Sequence, residues 1–326
     1  MPDVSDSASV FAPLNVSVRH AAHADQHSAN FTGWSNEFTQ VAPGVFEGLA
    51  REIWLGPIQL FHDAVNRPTR YRGCAWGPSR VLLSFLPGYG PVHCGEMQVP
   101  PQAVLTYRWD DAGRFDFTTG FESVGVCVDE HLLEEHAGSV WGLHLNARHR
   151  APRLAAGCAA AGRDVQGTLL RLVNRICEQP AILENTVAAR GIADDVLEMF
   201  ISTLCSADCG SDPPPRPSVR TYTVYQAQQF IEAHLATGFS MSELCKAVRV
   251  SRRVLEYAFR DVVGISPKQY IVALRLGRAR RDIVAGGTLA SISDIAERWG
   301  FFHLGRFSGV YKKFFGELPS ATPRSK

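Results

Sequence analysis

The chain of 326 residues is 45% apolar and 20% charged, enough length for two globular domains and enough apolar residues to give each a core, which excludes a disordered, collagenous or disulfide-stapled miniature chain. No run approaches the roughly 20 uninterrupted apolar residues of a membrane-spanning helix, and MPDVSDSASVFAPLNVS is acidic and polar where a secretory leader would be basic and then apolar, so no membrane is expected and the cytoplasm is the expected compartment. The net charge of +1 hides a division: residues 213–326 hold 5 Lys and 13 Arg against 8 acidic residues (+10), and residues 1–212 hold 15 Arg and no Lys against 24 (−9), which points to a polyanionic partner for the C-terminal part alone.

Residues 1–30, rich in Ala, Ser, Asp and His, read as a flexible arm. From Trp34 to Val128 the chain breaks into short runs rich in β-branched and aromatic residues, EGLAREIWLG, IQLFHDAV, RVLLSFLPG, AVLTYRWDD and SVGVCVD, separated by Pro87-Gly88, Gly90-Pro91 and Pro100-Pro101. This spacing predicts a β-sandwich or small barrel. Between Gln166 and Ser206 the period lengthens to that of a helix, with Leu169, Leu170, Val173, Ile176 and Cys177 on one face, then Ile192, Val196, Phe200, Ile201 and Leu204 on another. Two helices are expected after the sheet. One stripe can cover the sheet while another is left for a second copy, which makes Val196, Phe200 and Leu204 the expected dimer contacts. The alternative is that the chain's own core takes both stripes.

Cys209-Gly-Ser-Asp-Pro-Pro-Pro-Arg-Pro cannot continue a helix, because proline lacks the amide donor. Residues 209–219 therefore read as a semi-rigid linker, separating an N-terminal domain (31–208) from a helical domain (220–326). In the latter Ser240 can cap Met241 to Val248, Arg249-Val250 makes a tight turn, and Ser251 can cap Arg252 to Asp261. Leu244, Val248, Leu255 and Phe259 would share a core and turn Arg252, Arg253, Glu256, Tyr257 and Arg260 outwards, which is helix-turn-helix geometry. A second copy follows: a helix over Ile292 to Trp299, the turn Gly300-Phe301, and a helix from His303 to Phe315 carrying Arg306, Lys312 and Lys313 outwards, closed by Gly316. Ser266-Pro267 opens a connecting helix to about Ala285, long enough to set the two units in successive major grooves.

In Leu244-Cys245, Val250-Ser251, Leu255, Phe259, Gly264, Ser266-Pro267, Tyr270, Arg275-Leu276, Ala279, Asp294-Ile295-Ala296, Gly300-Phe301, Phe307-Ser308, Lys312, Phe314, Gly316, Pro319 and Ser320, residues 222–321 resemble the AraC/XylS transcription regulators, and the second unit looks most like the ethanolamine-operon-regulator branch. The resemblance implies an α+β N-terminal domain, a cupin-like β-sandwich or barrel plus helices, followed by an all-α DNA-binding domain with two helix-turn-helix units. It implies a sequence-specific regulator of transcription, an activator controlled by a small organic effector, acting as a homodimer on double-stranded promoter DNA and RNA polymerase. By family position Arg253, Glu256 and Tyr257 resemble base readers, and Arg252 and Arg260 phosphate contacts. His303, Leu304 and Arg306 resemble groove contacts, and Lys312 and Lys313 backbone anchors, while Gly309 stands where many members carry a DNA-contacting Arg.

Five of the six tryptophans lie N-terminal to the linker. Trp76, Glu96, Tyr107 and Trp109 are the candidate effector contacts, Glu96 by charge and Trp109 by its π face, and the branch resemblance implies an amine. The competing readings are an effector-independent DNA-binding regulator and a metal-dependent cupin-type enzyme fused to a DNA-binding domain, the latter on His93 and Glu96 alone. One His and one Glu do not make a metal site. No nucleophile triad or phosphate-binding glycine loop is visible, and the eight cysteines form no C-x-x-C pair, so neither a metal, a cofactor nor an enzymatic activity is expected.

Overall fold

The computed structural model describes residues 14–100, 103–111, 113–145, 153–155, 159–208, 218–286 and 291–324. The N-terminal half runs β1 (Asn15–Ala21), α1 (Ala24–Ser28), β2 (Ser35–Gln40), β3 (Gly48–Trp54), β4 (Ile58–Val65), β5 (Thr69–Cys74), β6 (Ser79–Phe85), β7 (Val92–Cys94), β8 (Met97–Val99), β9 (Val104–Arg108), β10 (Gly113–Phe117) and β11 (Phe121–Asp129). Then come α2 (Glu130–Trp141), β12 (Arg153–Ala155), α3 (Ala159–Glu178) and α4 (Thr186–Asp208). The strands form two sheets, of order β1-β3-β4-β11-β6-β9-β12 and β2-β5-β10-β7-β8, and their paired strands run antiparallel. An aromatic core that includes Phe38, Phe46, Tyr71, Phe115, Phe117 and Phe121 fills the space between them.

Part of the expected arm is built into this structure. β1 pairs with β3 from Asn15 opposite Trp54 to Ala21 opposite Gly48, and α1 buries His27, whose Nε2 lies 2.7 Å from Asp63 Oδ1. An edge strand that stays half exposed along most of its length leaves no clean alternation in the sequence. Residues 1–13 of the expected arm, and 209–217 of the expected linker, lie outside the described residues.

The seven-stranded sheet has a second apolar face, and that face consumes the helices. Ile53, Leu60, Leu82, Val124 and Val126 share one buried core with Leu169, Val173 and Ile176 of α3 and with Val196, Leu197, Phe200, Ile201 and Leu204 of α4. Val196, Phe200 and Leu204 are 2%, 0% and 4% exposed, so they have no surface to offer a partner. The physical reason is that α3 lies across the sheet while α4 packs on α2, α3 and β12, so both apolar stripes are taken up inside the chain.

The C-terminal half is helical: α5 (Val219–His234), α6 (Met241–Ala247), α7 (Arg252–Val262), α8 (Pro267–Val284), α9 (Ile292–Arg298) and α10 (Leu304–Phe315). Its core joins Leu244, Leu255, Phe259, Tyr270, Leu276, Ile295, Phe307 and Tyr311. Among the described residues no helix is long and apolar enough to cross a membrane.

The two halves are packed together through β2, β5 and β10. Arg70 is 4% exposed, pairs with Glu232 of α5, donates to the Tyr270 hydroxyl of α8 and lies 3.8 Å from Asp116. Arg72 reaches the same Glu232 at 2.6 Å. In the other direction Arg281 bonds Glu37 at 2.9 Å and Thr39 at 2.8 Å, and Arg278 approaches Glu37 at 3.3 Å. Arg280, 3% exposed, is held by Asp25 at 2.9 Å and by Glu317. Val41 inserts into the helical core, and the Gly44 amide donates to the Phe314 carbonyl at 3.0 Å.

Because Phe200 fills the middle of the sheet-helix core, Phe200→Ala should lower unfolding stability by about 3–5 kcal/mol and Phe200→Glu should prevent folding of the N-terminal half. Urea denaturation of the full chain measures both; native stability in either variant would place the side chain at a surface.

Candidate nucleic-acid interface and effector cavity

The two helix-turn-helix units are built by the same local chemistry. Ser240 and Ser291 each accept from the backbone amide three residues on, Glu243 and Asp294, whose carboxylates return the bond to the serine amide. Each capping box satisfies two otherwise orphaned donors. Those bonds pull both carboxyls below their usual range. At the far end Val250 donates to the Cys245 carbonyl and Phe301 to the Ala296 carbonyl, the bond that closes a helix through one left-handed residue. That residue is Gly300 at φ +80° in the second unit, but Arg249 at φ +55° in the first.

The turns aim α7 and α10 outwards. On α7, Leu255, Ala258, Phe259 and Val262 are buried, while Arg252, Arg253, Tyr257 and Arg260 are exposed and Glu256 is half-buried. Arg252 is bonded to Glu256 at 3.2 Å, one helical turn away. The Arg253 guanidinium lies 5.7 Å from the centre of the Tyr257 ring, which holds its fork of donors in place. On α10, Phe307, Tyr311, Phe314 and Phe315 are buried, and His303, Leu304, Arg306, Lys312 and Lys313 are exposed. The ten residues singled out for DNA in the sequence thus lie along the outer faces of two helices, clear of the packed interface with the N-terminal half. Phe302, 78% exposed in the turn before α10, joins this surface; lying just before the cap and off the core period, it gave no sign in the pattern. Gly305 and Gly309 have open space where a Cβ would stand. α8, with 18 residues, spans about 27 Å between the units.

The candidate effector residues are scattered. Only Tyr107 lines the cavity between the sheets. Trp76 is buried beside it and spends its indole N–H on Gln59 at 2.8 Å. Trp109 packs on Gly77, and Glu96 stands in the turn between β7 and β8. His93 is buried on β7, and burial lowers its pKa. Among the described residues no three His, Cys, Asp or Glu side chains converge as metal ligands. The cavity is small, about 40 Å³, and its polar lining is Asn36, Asp63, Tyr71, Tyr107 and Ser123 amid aromatic rings. These residues come from five separate strands, so no local motif announces them.

Across 246 residues this chain is 39% identical to the XylDLEGF operon transcriptional activator of Pseudomonas putida, covering 71% of this chain and 70% of that one. The chain belongs to the AraC/XylS family of transcriptional regulators. It is a DNA-binding regulator, and a family model described as a helix-turn-helix domain matches residues 244–325. A second relative, named "Probable thc operon regulatory protein", from Rhodococcus erythropolis, is 34% identical over 112 residues, a match that spans 34% of this chain and 33% of that one. An AraC-type regulator of known structure from Chromobacterium violaceum is 33% identical over 30% of this chain and 86% of its own, with a TM-score of 0.28.

Left-handed geometry at a residue with a Cβ costs roughly 1–2 kcal/mol, so Gly300→Ala should destabilise the second unit by about that much, with the added Cβ 3.0 Å from Arg275, whereas Arg249→Gly should be neutral or stabilising. Chemical denaturation of the two variants checks the opposite signs. DNA affinity should fall by about three to five decades over a fourfold rise in salt if some 6 to 10 phosphates are engaged, read from binding isotherms on a selected duplex.

Proposed function

We propose that this regulator is a cytoplasmic, homodimeric activator that works with RNA polymerase at promoters and is controlled by a small organic effector held between its two sheets. The relatives named as operon activators support the activating sign. The resemblance of the second unit to the ethanolamine-operon branch supports an amine-bearing effector. Residues 31–208 sense and dimerise, and residues 220–326 bind DNA. With Val196, Phe200 and Leu204 spent on the core, the surface left for a second copy includes the exposed Val140, Trp141 and Leu143 at the end of α2.

The observation that carries control by an effector is the alternation of β2, β5 and β10. Register sets Phe38 opposite Tyr71 and Tyr71 opposite Phe115, with Glu37 opposite Arg72 and Arg70 opposite Asp116. In a strand successive side chains point to opposite faces. The inward set, Asn36, Tyr71 and Phe115, lines the cavity; the outward set, Glu37, Thr39, Arg70 and Arg72, grips α5 and α8. A molecule that shifts the inner set moves the outer set with it, and α8 carries that movement to both helix-turn-helix units.

On DNA, Arg253, Glu256 and Tyr257 read bases, and Arg252 and Arg260 hold phosphates. His303, Leu304 and Arg306 enter the second groove, and Lys312 and Lys313 anchor its backbone. Arg253→Ala should cost about 1–3 kcal/mol on the preferred sequence and relax preference at one position, while Lys312→Ala should weaken all sequences alike. Selection from a random duplex pool separates these outcomes. Glu37→Gln, on β2 and not on either outward helix, should change affinity for the selected duplex at least about fivefold, the lower end of ordinary allosteric coupling; an unchanged affinity would refute transmission through the strands.

A further inference from the structure

We infer that Phe302 enters duplex DNA as a wedge: its ring inserts at a base step beside the second unit's groove, unstacks that step and kinks the duplex. This rests on the reading that α10 enters a groove.

The turns of the two units differ by one residue. In the first, the left-handed Arg249 is followed by Val250, which packs on the helical core, and then by Ser251, the cap of α7. In the second, the left-handed Gly300 is followed by Phe301, which packs on the same core with its ring centre 5.1 Å from that of Phe307, then by Phe302, and only then by His303, the cap of α10. Phe302 is the added residue. The chain is pinned on both sides of it, since the Phe301 amide donates to the Ala296 carbonyl and the His303 carbonyl accepts from the Phe307 amide, each at 2.9 Å. With Phe301 and Phe307 occupying the core below, the added ring is left outside. It is 78% exposed, more than any other aromatic side chain among the described residues.

A single exposed apolar side chain is common on a protein surface, and it is the neighbours that set this one apart. Gly305 and Gly309 lie four residues apart on α10, hence on one face, and nothing stands within 4 Å of where a Cβ would be at either. Glycine is a poor helix former, so two of them in a helix of 12 residues have no local cause. They leave a strip of bare backbone, with Phe302 before it and the exposed Arg306, Lys312 and Lys313 beside and beyond it. From Gly305 to Lys313 the strip runs about 12 Å along the helix. A sugar-phosphate chain drawn in by those cations comes closer to the helix over bare backbone than over long side chains, and this approach carries the ring at the end of the strip to the depth of the bases. Water gives the ring no partner, and the face of a base does. Apolar wedges of this kind part a base step and bend the duplex, at least cost where a pyrimidine is followed by a purine.

The test binds the full chain to its selected duplex carrying 2-aminopurine at one position at a time, a base whose fluorescence rises when it loses its stacking neighbour. One step beside the second unit's contacts should brighten, and dyes at the two duplex ends should draw closer by energy transfer. Phe302→Ala should keep the wild-type melting temperature, lose both signals and bind at least about fivefold more weakly, while Phe302→Leu, still apolar, should keep part of each. Gly309→Leu, which meets no neighbour and favours the helix, should also lose the brightening. A pyrimidine–purine preference at that step, read by selection from a random duplex pool, should disappear in Phe302→Ala. A wild-type complex that brightens nowhere overturns the wedge, as does brightening that survives Phe302→Ala or Gly309→Leu, and in each case the reading of α10 as a groove helix stands. If the wild-type chain enriches no duplex at all, that reading falls and the wedge falls with it.

Discussion

Arg70 is buried at the junction of the two halves, and a guanidinium in that position cannot lose its charge. Burial alone would lower its pKa, yet Tyr270, Asp116 and Glu232 raise it above the ordinary value. The charge must therefore be matched where it stands, by α5, α8 and β10 together. Burying such a group contributes little net stability once desolvation is counted, but removing one partner leaves an uncompensated charge at a cost of about 3–5 kcal/mol. The consequence is specificity of arrangement. Glu37 on the neighbouring strand obeys the same rule: burial pushes its pKa up, but Arg281 and Arg278 together pull it below the usual range. A carboxyl with a depressed folded pKa contributes stability above its unfolded pKa, and that contribution is lost as pH falls through the folded value.

The helical half applies one design twice, and the differences between the copies show where each copy is loaded. Both open with a serine capping box and close through a left-handed residue, so the first helix and turn are set by backbone chemistry alone. α7 then begins at Ser251, which accepts from the Val254 amide, whereas α10 begins at His303 without a side-chain cap. The outer face of α7 is dense with Arg and Tyr, and that of α10 carries two glycines with open space around them. The first face is a dense set of hydrogen-bond donors, and the second alternates basic side chains with bare backbone.

The elements governed by local rules were legible in the sequence. Serine caps, the turn residues and the 3.6 period located α6 through α10, and the Pro-rich stretch located the break between sheet and helical bundle, because each depends on neighbours within a few positions. The α+β half was legible as a class, since alternating runs and Gly-Pro breaks are also local. What failed depends on three-dimensional packing. Whether the stripe holding Val196, Phe200 and Leu204 faces the chain's own core or a second chain depends on how α2, α3 and β12 come together around α4, and no window of sequence contains that arrangement. The cavity failed for a related reason: Tyr107 was found because it is aromatic on a strand, but Asp63, Asn36 and Ser123 gain meaning only when separate strands turn them towards one space.

Charge asymmetry, the broadest sequence signal, acquires a second meaning in the folded chain. Arg278, Arg280 and Arg281 contribute to the +10 of the C-terminal part, yet they face Glu37 and Asp25 of the acidic part, so they are spent inside the molecule. The Arg and Lys side chains on the outer faces of α7 and α10 take no part in these contacts. Opposite net charges on the two halves draw them together by the same long-range attraction that draws the helical half to DNA. Salt screens exposed pairs at the junction, such as Arg278 with Glu37, but barely reaches Arg70 and Arg280, which are buried. The acidic half thus neutralises the face of the helical domain it packs against, and leaves the exposed Arg and Lys of α7 and α10 on the outside.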